Sequence, residues 1–340
     1  MSESMTRKLI LIDAAPRSRD MILTDAIEAR LGALADLVAH YDGRMPDAVV
    51  EAHLERVDII VGQTPMDAGR LARARQLKAI INVKGNWEPT IDYHEAQRRG
   101  VQVLSIAPMM APAVAELCIG FAIALGRGVP RNDRVFREGR ERYGIRGNGD
   151  AVSLFGAEIG LVGYGNLGRA LRPLLAAFGC RISVYDPWLT HGYLADEGCR
   201  AAPLDEVLAR SRFLFLLAGV HTGNEGFLDR ERLMSIAEDA CVVLASRAEI
   251  VDFPAFLELA EANRFRAAID VFPVEPVPAD DPVRRTRSIL LSAHLAGGIR
   301  DSYRRIAETL DDEIPHLLAG LPARRLQRAE PLLAAMQRSR

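Results

Sequence analysis

The chain has 340 residues, 43 Lys and Arg against 45 Asp and Glu, a formal net charge of −2, and 49% hydrophobic and 26% charged residues. That length suits two domains that each bury a core, and the near-balanced charge argues against a dedicated nucleic-acid binder, which is usually strongly basic. No apolar run is expected to approach the roughly 18 residues a membrane helix needs, and the N-terminal MSESMTRK lacks a leader-like apolar region, so the expected location is cytoplasmic with no membrane partner.

In chain order, Leu9–Ile12 reads as a strand, followed by a helical stretch near Met21–Leu34. Val57–Val61, Leu77–Val83 and Val101–Ile106 read as strands, with helical composition at Arg70–Arg75 and Tyr93–Arg99 between them. Such alternation predicts parallel strands with helical crossovers. A long helical pattern covers Pro112–Arg127, and the polar, Arg-rich stretch Arg131–Asp150 reads as a connector or an arm toward a partner subunit. A second alternating series follows, with strands at Ile159–Val162, Arg181–Tyr185, Phe213–Leu217, Cys241–Ala245, Ala267–Val271 and Ile289–Leu291. This is the chain order of a doubly wound nucleotide domain, and helix resumes from Asp301.

The four cysteines, Cys118, Cys180, Cys199 and Cys241, form no CxxC pair and are expected to be buried and reduced. His94, His191 and His221 have no metal-ligand spacing, so no metal site is expected.

The sharpest signal is GYGNLG, Gly163–Gly168, after the strand-like IGLV and before a helical run that stops at Gly179. Gly163 permits the tight turn, Gly165 the approach of a pyrophosphate, and Gly168 close packing of helix on strand. The amides of Asn166 and Leu167 would meet phosphate at the helix N-terminus. Asp186, 18 residues beyond Gly168, can bind the ribose hydroxyls and would repel a 2′-phosphate. Pro187 and Trp188 follow it, rather than Arg or Lys, so NAD is expected over NADP.

Ligands of open α/β sheets sit beyond the carboxyl ends of the strands. Ser246 and Arg247 follow VVLA, Glu275 follows AAIDVF with Asp270 inside it, and His294 follows ILLS. Arg247 can hold a carboxylate and polarise a carbonyl. His294 can exchange the hydroxyl proton, and Glu275 would stabilise its imidazolium. That set suffices for hydride transfer between NAD and the C2 carbon of a small 2-hydroxy or 2-oxo acid.

These residues resemble the D-isomer-specific 2-hydroxyacid dehydrogenase family from about Val57 to Gly298. The resemblance rests on SRAEIVD (Ser246–Asp252), DVFPVEP (Asp270–Pro276), SAHLAGG (Ser292–Gly298) and the helix PAVAELCIGFAIALGR (Pro112–Arg127). It implies Arg247 as substrate anchor, His294 as proton donor and acceptor, and Glu275 as its partner. It also implies Asp270 and Val114 on the nicotinamide side, and further cofactor contacts from Ala218, Gly219 and Gly297. The implied architecture is α/β. A flavodoxin-like substrate domain (1–117 with 299–340) would hold an inserted Rossmann-type doubly wound NAD domain (118–298), and the chain would form a homodimer.

Three positions depart from the family pattern. Ala248 stands where a Gly usually follows the catalytic Arg. Gly219-Val220-His221-Thr222 replaces the usual Pro-x-Thr-Pro loop, so His221 would take a threonine contact. KGNWEPTID (Lys84–Asp92) replaces the Gly-Val-Asp substrate loop, where Lys84, Gly85 and Asn86 would bind the substrate carboxylate. Two other functions fit the same fold. One is an NADH-sensing corepressor without turnover, which the Arg247/Glu275/His294 set disfavours. The other is a dehydrogenase of a phosphite-like anion, to which the Lys84-Gly85 pair is similar.

Overall fold

The structure, a computed structural model, describes residues 7–336. The N-terminal residues 1–6, part of the stretch read above as lacking a leader-like region, lie outside the described residues. The chain divides into two compact units, one of residues up to Met110 together with those from Gly298 onward, the other Ala111–Gly297.

The first unit alternates β1 (Leu9–Asp13), α1 (Asp25–Leu34), β2 (Asp36–His40), α2 (Asp47–His53), β3 (Ile59–Gly62), α3 (Ala68–Arg73), β4 (Ala79–Asn82), α4 (Tyr93–Arg98) and β5 (Gln102–Ser105). α5 (Ala107–Gly126) then leads into the second unit. The strands lie in the order β5-β4-β3-β1-β2 and pair in parallel, the flavodoxin-like order. β1, β3 and β4 are covered on both faces, so they read as unbroken apolar runs. Ile10, Ile59 and Ile81 enter one core layer, while Leu11, Ile60 and Ile80 enter the other.

In the second unit follow α6 (Val129–Arg137), β6 (Glu158–Val162), α7 (Asn166–Ala177), β7 (Arg181–Tyr185), α8 (His191–Asp196), β8 (Arg200–Ala201), α9 (Leu204–Arg210) and β9 (Phe213–Leu216). α10 (Arg230–Met234), β10 (Cys241–Leu244), α11 (Phe253–Glu261), β11 (Arg266–Ile269) and β12 (Ile289–Leu291) complete it. The order β12-β11-β10-β9-β6-β7-β8, parallel throughout, reverses direction between β6 and β9, which is the Rossmann switch point. Side chains alternate across this sheet: Phe213, Phe215 and Val243 pack on one face, Leu214, Leu216 and Leu244 on the other. The chain returns to the first unit through α12 (Arg300–Leu318), β13 (Gln327–Arg328) and α13 (Pro331–Met336), and β13 pairs antiparallel with β5.

Several expectations shift. α1 starts at Asp25 rather than near Met21, because Thr24 accepts a hydrogen bond from the amide of Ile27 and fixes the start there. α3 starts at Ala68, capped by Asp67. The unit division falls after Met110 rather than after 117, since Val114 and Ala115 already pack in the second unit's core. The return falls at Gly298. The stretch read as a connector or an arm toward a partner subunit includes the part of α6 from Arg131 to Arg137 and a short 3-10 turn at Gly144–Gly147. Cys180 is only partly buried, unlike Cys118, Cys199 and Cys241.

The membrane expectation is also corrected. The 20-residue α5 carries one charged residue, Glu116, and is long and apolar enough to cross a membrane by length and composition. Its packing is that of a core helix: Ala115, Cys118, Phe121, Ala122 and Leu125 are buried among the second unit's apolar side chains.

Candidate active site

The glycine turn lies at the switch point of the second unit's sheet. Gly163 has φ +93°, and a Cβ there would stand 2.7 Å from the backbone of Ala218 at the end of β9. The turn therefore packs on Ala218 with no room for a side chain. A Cβ on Gly168 would approach the Gly163 carbonyl at 3.1 Å, so α7 lies tight against the turn. Gly165, the N-cap of α7, is different: a Cβ there would meet nothing within 4 Å. Its backbone faces open space at a helix N-terminus, beside the Asn166 and Leu167 positions, as a bound pyrophosphate requires.

At the end of β7, Asp186 accepts hydrogen bonds from the amide of Tyr164 (2.8 Å) and that of Trp188 (3.0 Å). The carboxylate is thus fixed to the glycine turn before any ribose arrives. The Tyr164 hydroxyl, beneath the turn, donates to Glu197 at 3.1 Å and ties the turn to the end of α8. Pro187 and Trp188 are exposed beyond Asp186. The Trp188 and His221 rings meet edge to face, 6.2 Å between centroids. His221 in turn shapes its own loop. Its backbone N–H donates to Asn224 Oδ1, its Nδ1 accepts from the Gly223 amide, and Asn224 Nδ2 donates to the Gly219 carbonyl. Burial pulls the His221 imidazole below its ordinary range. These features fit a dinucleotide with a free 2′-hydroxyl.

The strand-end residues gather in the same unit. Ser246 is buried, and its hydroxyl donates to the Leu216 carbonyl, linking the ends of β10 and β9. Arg247 donates from Nη1 to the Ser246 carbonyl at 2.6 Å. Ala248, where the family pattern has Gly, is buried and opens a short 3-10 turn. It is not among the positive-φ residues, so the position does not demand glycine.

His294 Nδ1 lies 2.6 Å from Glu275 Oε2, and Glu275 Oε1 accepts from the Phe272 amide at 2.9 Å. Burial pushes the Glu275 carboxyl up, but the His294 hydrogen bond, the Phe272 amide and the charges of His294 and Arg247 outweigh it. The net direction is below the usual carboxylate range. His294 adopts φ +53°, an uncommon left-handed conformation for a residue with a side chain. Asp270 holds it there. The Asp270 carbonyl accepts from the His294 amide (2.8 Å), and its carboxylate accepts from the amides of Leu295 (3.0 Å) and Ala296 (3.2 Å). Asp270, expected beside the nicotinamide, is 1% exposed and serves as the clamp of the histidine loop. Val114 lies in the apolar core of this unit, and Gly297 is its last residue.

Lys84, Gly85 and Asn86 belong to the first unit, just past β4. The amides of Lys84 and Gly85, the latter among those expected to meet the substrate carboxylate, both donate to Asn82 Oδ1 at 2.9 Å. Asn82 Nδ2 also donates to the Asn86 carbonyl. Asn82 therefore builds the loop, a role the sequence reading missed, although a polar residue closing the buried run AIIN was its visible signal. The Lys84 ammonium pairs with the buried Glu88 at 3.3 Å.

Residues 119–296 match the family model described as D-isomer specific 2-hydroxyacid dehydrogenase, NAD binding domain. The chain is 28% identical over 281 residues to D-3-phosphoglycerate dehydrogenase of Mycobacterium bovis, covering 82% of this chain and 52% of that protein. It thus spans about half the length of the first curated relatives it matches. Hydroxypyruvate reductase of Thermotoga maritima is 28% identical over 282 residues, covering 78% of this chain and 89% of that one. A phosphoglycerate oxidoreductase from Rhizobium etli, solved by crystallography, superposes with a TM-score of 0.85 at 37% identity, covering 95% of this chain and 99% of that one. With its nucleotide domain matched and a solved relative similar over nearly its whole length, the chain belongs to the D-isomer specific 2-hydroxyacid dehydrogenase family.

Proposed function

We propose that this protein is an NAD(H)-dependent oxidoreductase that transfers a hydride between the nicotinamide and C2 of a small D-2-hydroxy or 2-oxo acid. The observation that carries the reading is the His294–Glu275 pair, 2.6 Å apart, in the unit that holds the glycine cradle. The names of the relatives, phosphoglycerate dehydrogenase, hydroxypyruvate reductase and glyoxylate reductase, support the acid class.

Bound nicotinamide would supply or take the hydride. The chain's own residues do the rest. With Nδ1 donating to the Glu275 carboxylate, Nε2 of His294 is the atom that gives a proton to the carbonyl oxygen, or takes one from the hydroxyl. Glu275, held ionised, supplies the counter-charge that His294 needs while it carries the extra proton. Arg247 holds the C1 carboxylate and draws electron density from the C2 carbonyl.

The test is NADH absorbance with glyoxylate, hydroxypyruvate, pyruvate and branched 2-oxo acids, with NADPH run in parallel. Oxidation of NADH on at least one acid, and much slower oxidation of NADPH, is expected. NADH binding without turnover on any acid would refute the enzyme reading.

The chain is also proposed to act as a homodimer in the cytoplasm. Val129, Phe136, Tyr143 and Ile145, on α6 and the segment after it, are all more than half exposed, an apolar surface suited to a second copy. Four unpaired cysteines support a reducing compartment.

A further inference from the structure

The glycine turn follows β6, and β6 lies between β9 and β7 in a parallel sheet, so the loops after β7 and β9 flank the turn at the same end of the strands. Each of those loops carries an aromatic ring: Trp188, two residues beyond Asp186, and His221, in the segment after β9. Strands two places apart in a sheet stand roughly 9.5 Å from each other. The two rings nonetheless meet edge to face with centroids 6.2 Å apart, so they close the gap across the end of β6.

Both rings are anchored. The Trp188 amide donates to Asp186 Oδ1 at 3.0 Å, which ties the indole to the carboxylate that can bind the ribose hydroxyls. His221 Nδ1 accepts from the Gly223 amide at 3.0 Å, so the ring proton is on Nε2 and the imidazole is uncharged. Asn224 closes the same loop, accepting from the His221 amide and donating to the Gly219 carbonyl. The indole held in this way is still 51% exposed, whereas the other tryptophan, Trp87, is 6% exposed. Half of a fixed indole is therefore open to solvent beside a phosphate cradle, which makes it a platform for a flat base. The base of a dinucleotide is joined to the ribose that Asp186 can hold, and the loop that starts at Asp186 is the one that carries Trp188.

We propose that Trp188 binds the adenine ring of NAD by stacking, and that His221 positions the indole through the edge-to-face contact. The proposal concerns cofactor recognition and holds whichever acid is reduced. ADP-ribose, which keeps the adenosine half and lacks nicotinamide, then binds the same unit and reports on Trp188.

The experiment titrates the full chain with ADP-ribose and reads tryptophan emission and its quenching by acrylamide. Calorimetry measures the affinity in wild type, Trp188→Phe, Trp188→Ala and His221→Ala. Saturating ADP-ribose should shift the emission and reduce acrylamide quenching in wild type, and the response should be absent in Trp188→Phe, whose remaining tryptophan is the buried Trp87. Trp188→Ala should bind ADP-ribose about 10-fold more weakly, as the loss of one base–aromatic stack predicts, and Trp188→Phe should stay within about 3-fold of wild type. His221→Ala should raise acrylamide quenching in the free protein and weaken ADP-ribose less than Trp188→Ala does. ADP-ribose that binds without changing the Trp188 emission would overturn the proposal, as would wild-type affinity in Trp188→Ala. Equal losses in Trp188→Phe and Trp188→Ala would show that the side chain only supports the loop, and would also overturn it. Wild-type quenching in His221→Ala would remove His221 from it. A wild type that binds neither ADP-ribose nor NADH would overturn the dinucleotide cradle as well.

Discussion

At the residue scale, strain and charge meet at one position. His294, Asp239 and Asn263 are the described residues other than glycine with positive φ. Only His294 is anchored by three consecutive amide contacts to a single buried aspartate. The clamp fixes the imidazole direction before substrate arrives, which is what a proton donor aimed at one oxygen requires. Its partner Glu275 gives a pH prediction. A carboxyl whose folded-state pKa lies below its unfolded value, about 4.3 for Glu, stabilises the fold above that value. The contribution is lost as pH falls through the lower folded value. Unfolding measured between pH 3 and 7 should therefore show an acid-side loss that is smaller in Glu275→Gln. An unchanged pH profile in that variant would remove Glu275 from the account.

At the element scale, the glycine turn separates fold from binding within six residues. A methyl on Gly163 would meet Ala218 backbone at 2.7 Å in a left-handed conformation, so Gly163→Ala should cost about 1–3 kcal/mol of stability in urea unfolding. A methyl on Gly165 meets nothing within 4 Å, and φ there is −77°. Gly165→Ala should unfold like wild type yet bind NADH at least about 10-fold more weakly, because its methyl enters the space a pyrophosphate needs. Fluorescence titration with NADH checks the second half, and equal NADH affinity in Gly165→Ala would contradict the cradle. The buried strands and this turn were legible because each has a local signature, an apolar run or a fixed glycine spacing. β2 (DLVAH) was not, because at the sheet edge it is only partly buried and carries no run. The two-residue β8 and β13 are too short to leave a periodic mark. Asp270 was legible as a site residue but not as a clamp, since its partners at Leu295 and Ala296 lie 25 and 26 residues away. Asn82 was missed for the same reason: its role depends on loop contacts that no spacing rule encodes.

At the scale of the whole molecule, each of the two units is built on its own sheet, one in the flavodoxin-like order and one in the Rossmann order. The fold class was readable from the alternation of runs, whereas the division inside α5 was not, because that helix is continuous through it. The exposed apolar side chains of α6 and the segment after it bear on assembly. Phe136, 61% exposed, lies on the face proposed to meet a second copy. Phe136→Asp should shift sedimentation from dimer toward monomer without unfolding the chain. A wild type that sediments as a monomer would exclude the dimer.

The role proposed for His294, poised by Glu275, is to move the proton that accompanies hydride transfer. Its most direct test sets turnover against cofactor binding in wild type and His294→Ala, with NADH absorbance for the first and NADH fluorescence for the second. Turnover should fall by about 10²–10⁴-fold in His294→Ala, as expected when a general acid is removed, while NADH affinity stays within a few-fold of wild type. A variant that keeps wild-type turnover would contradict the account.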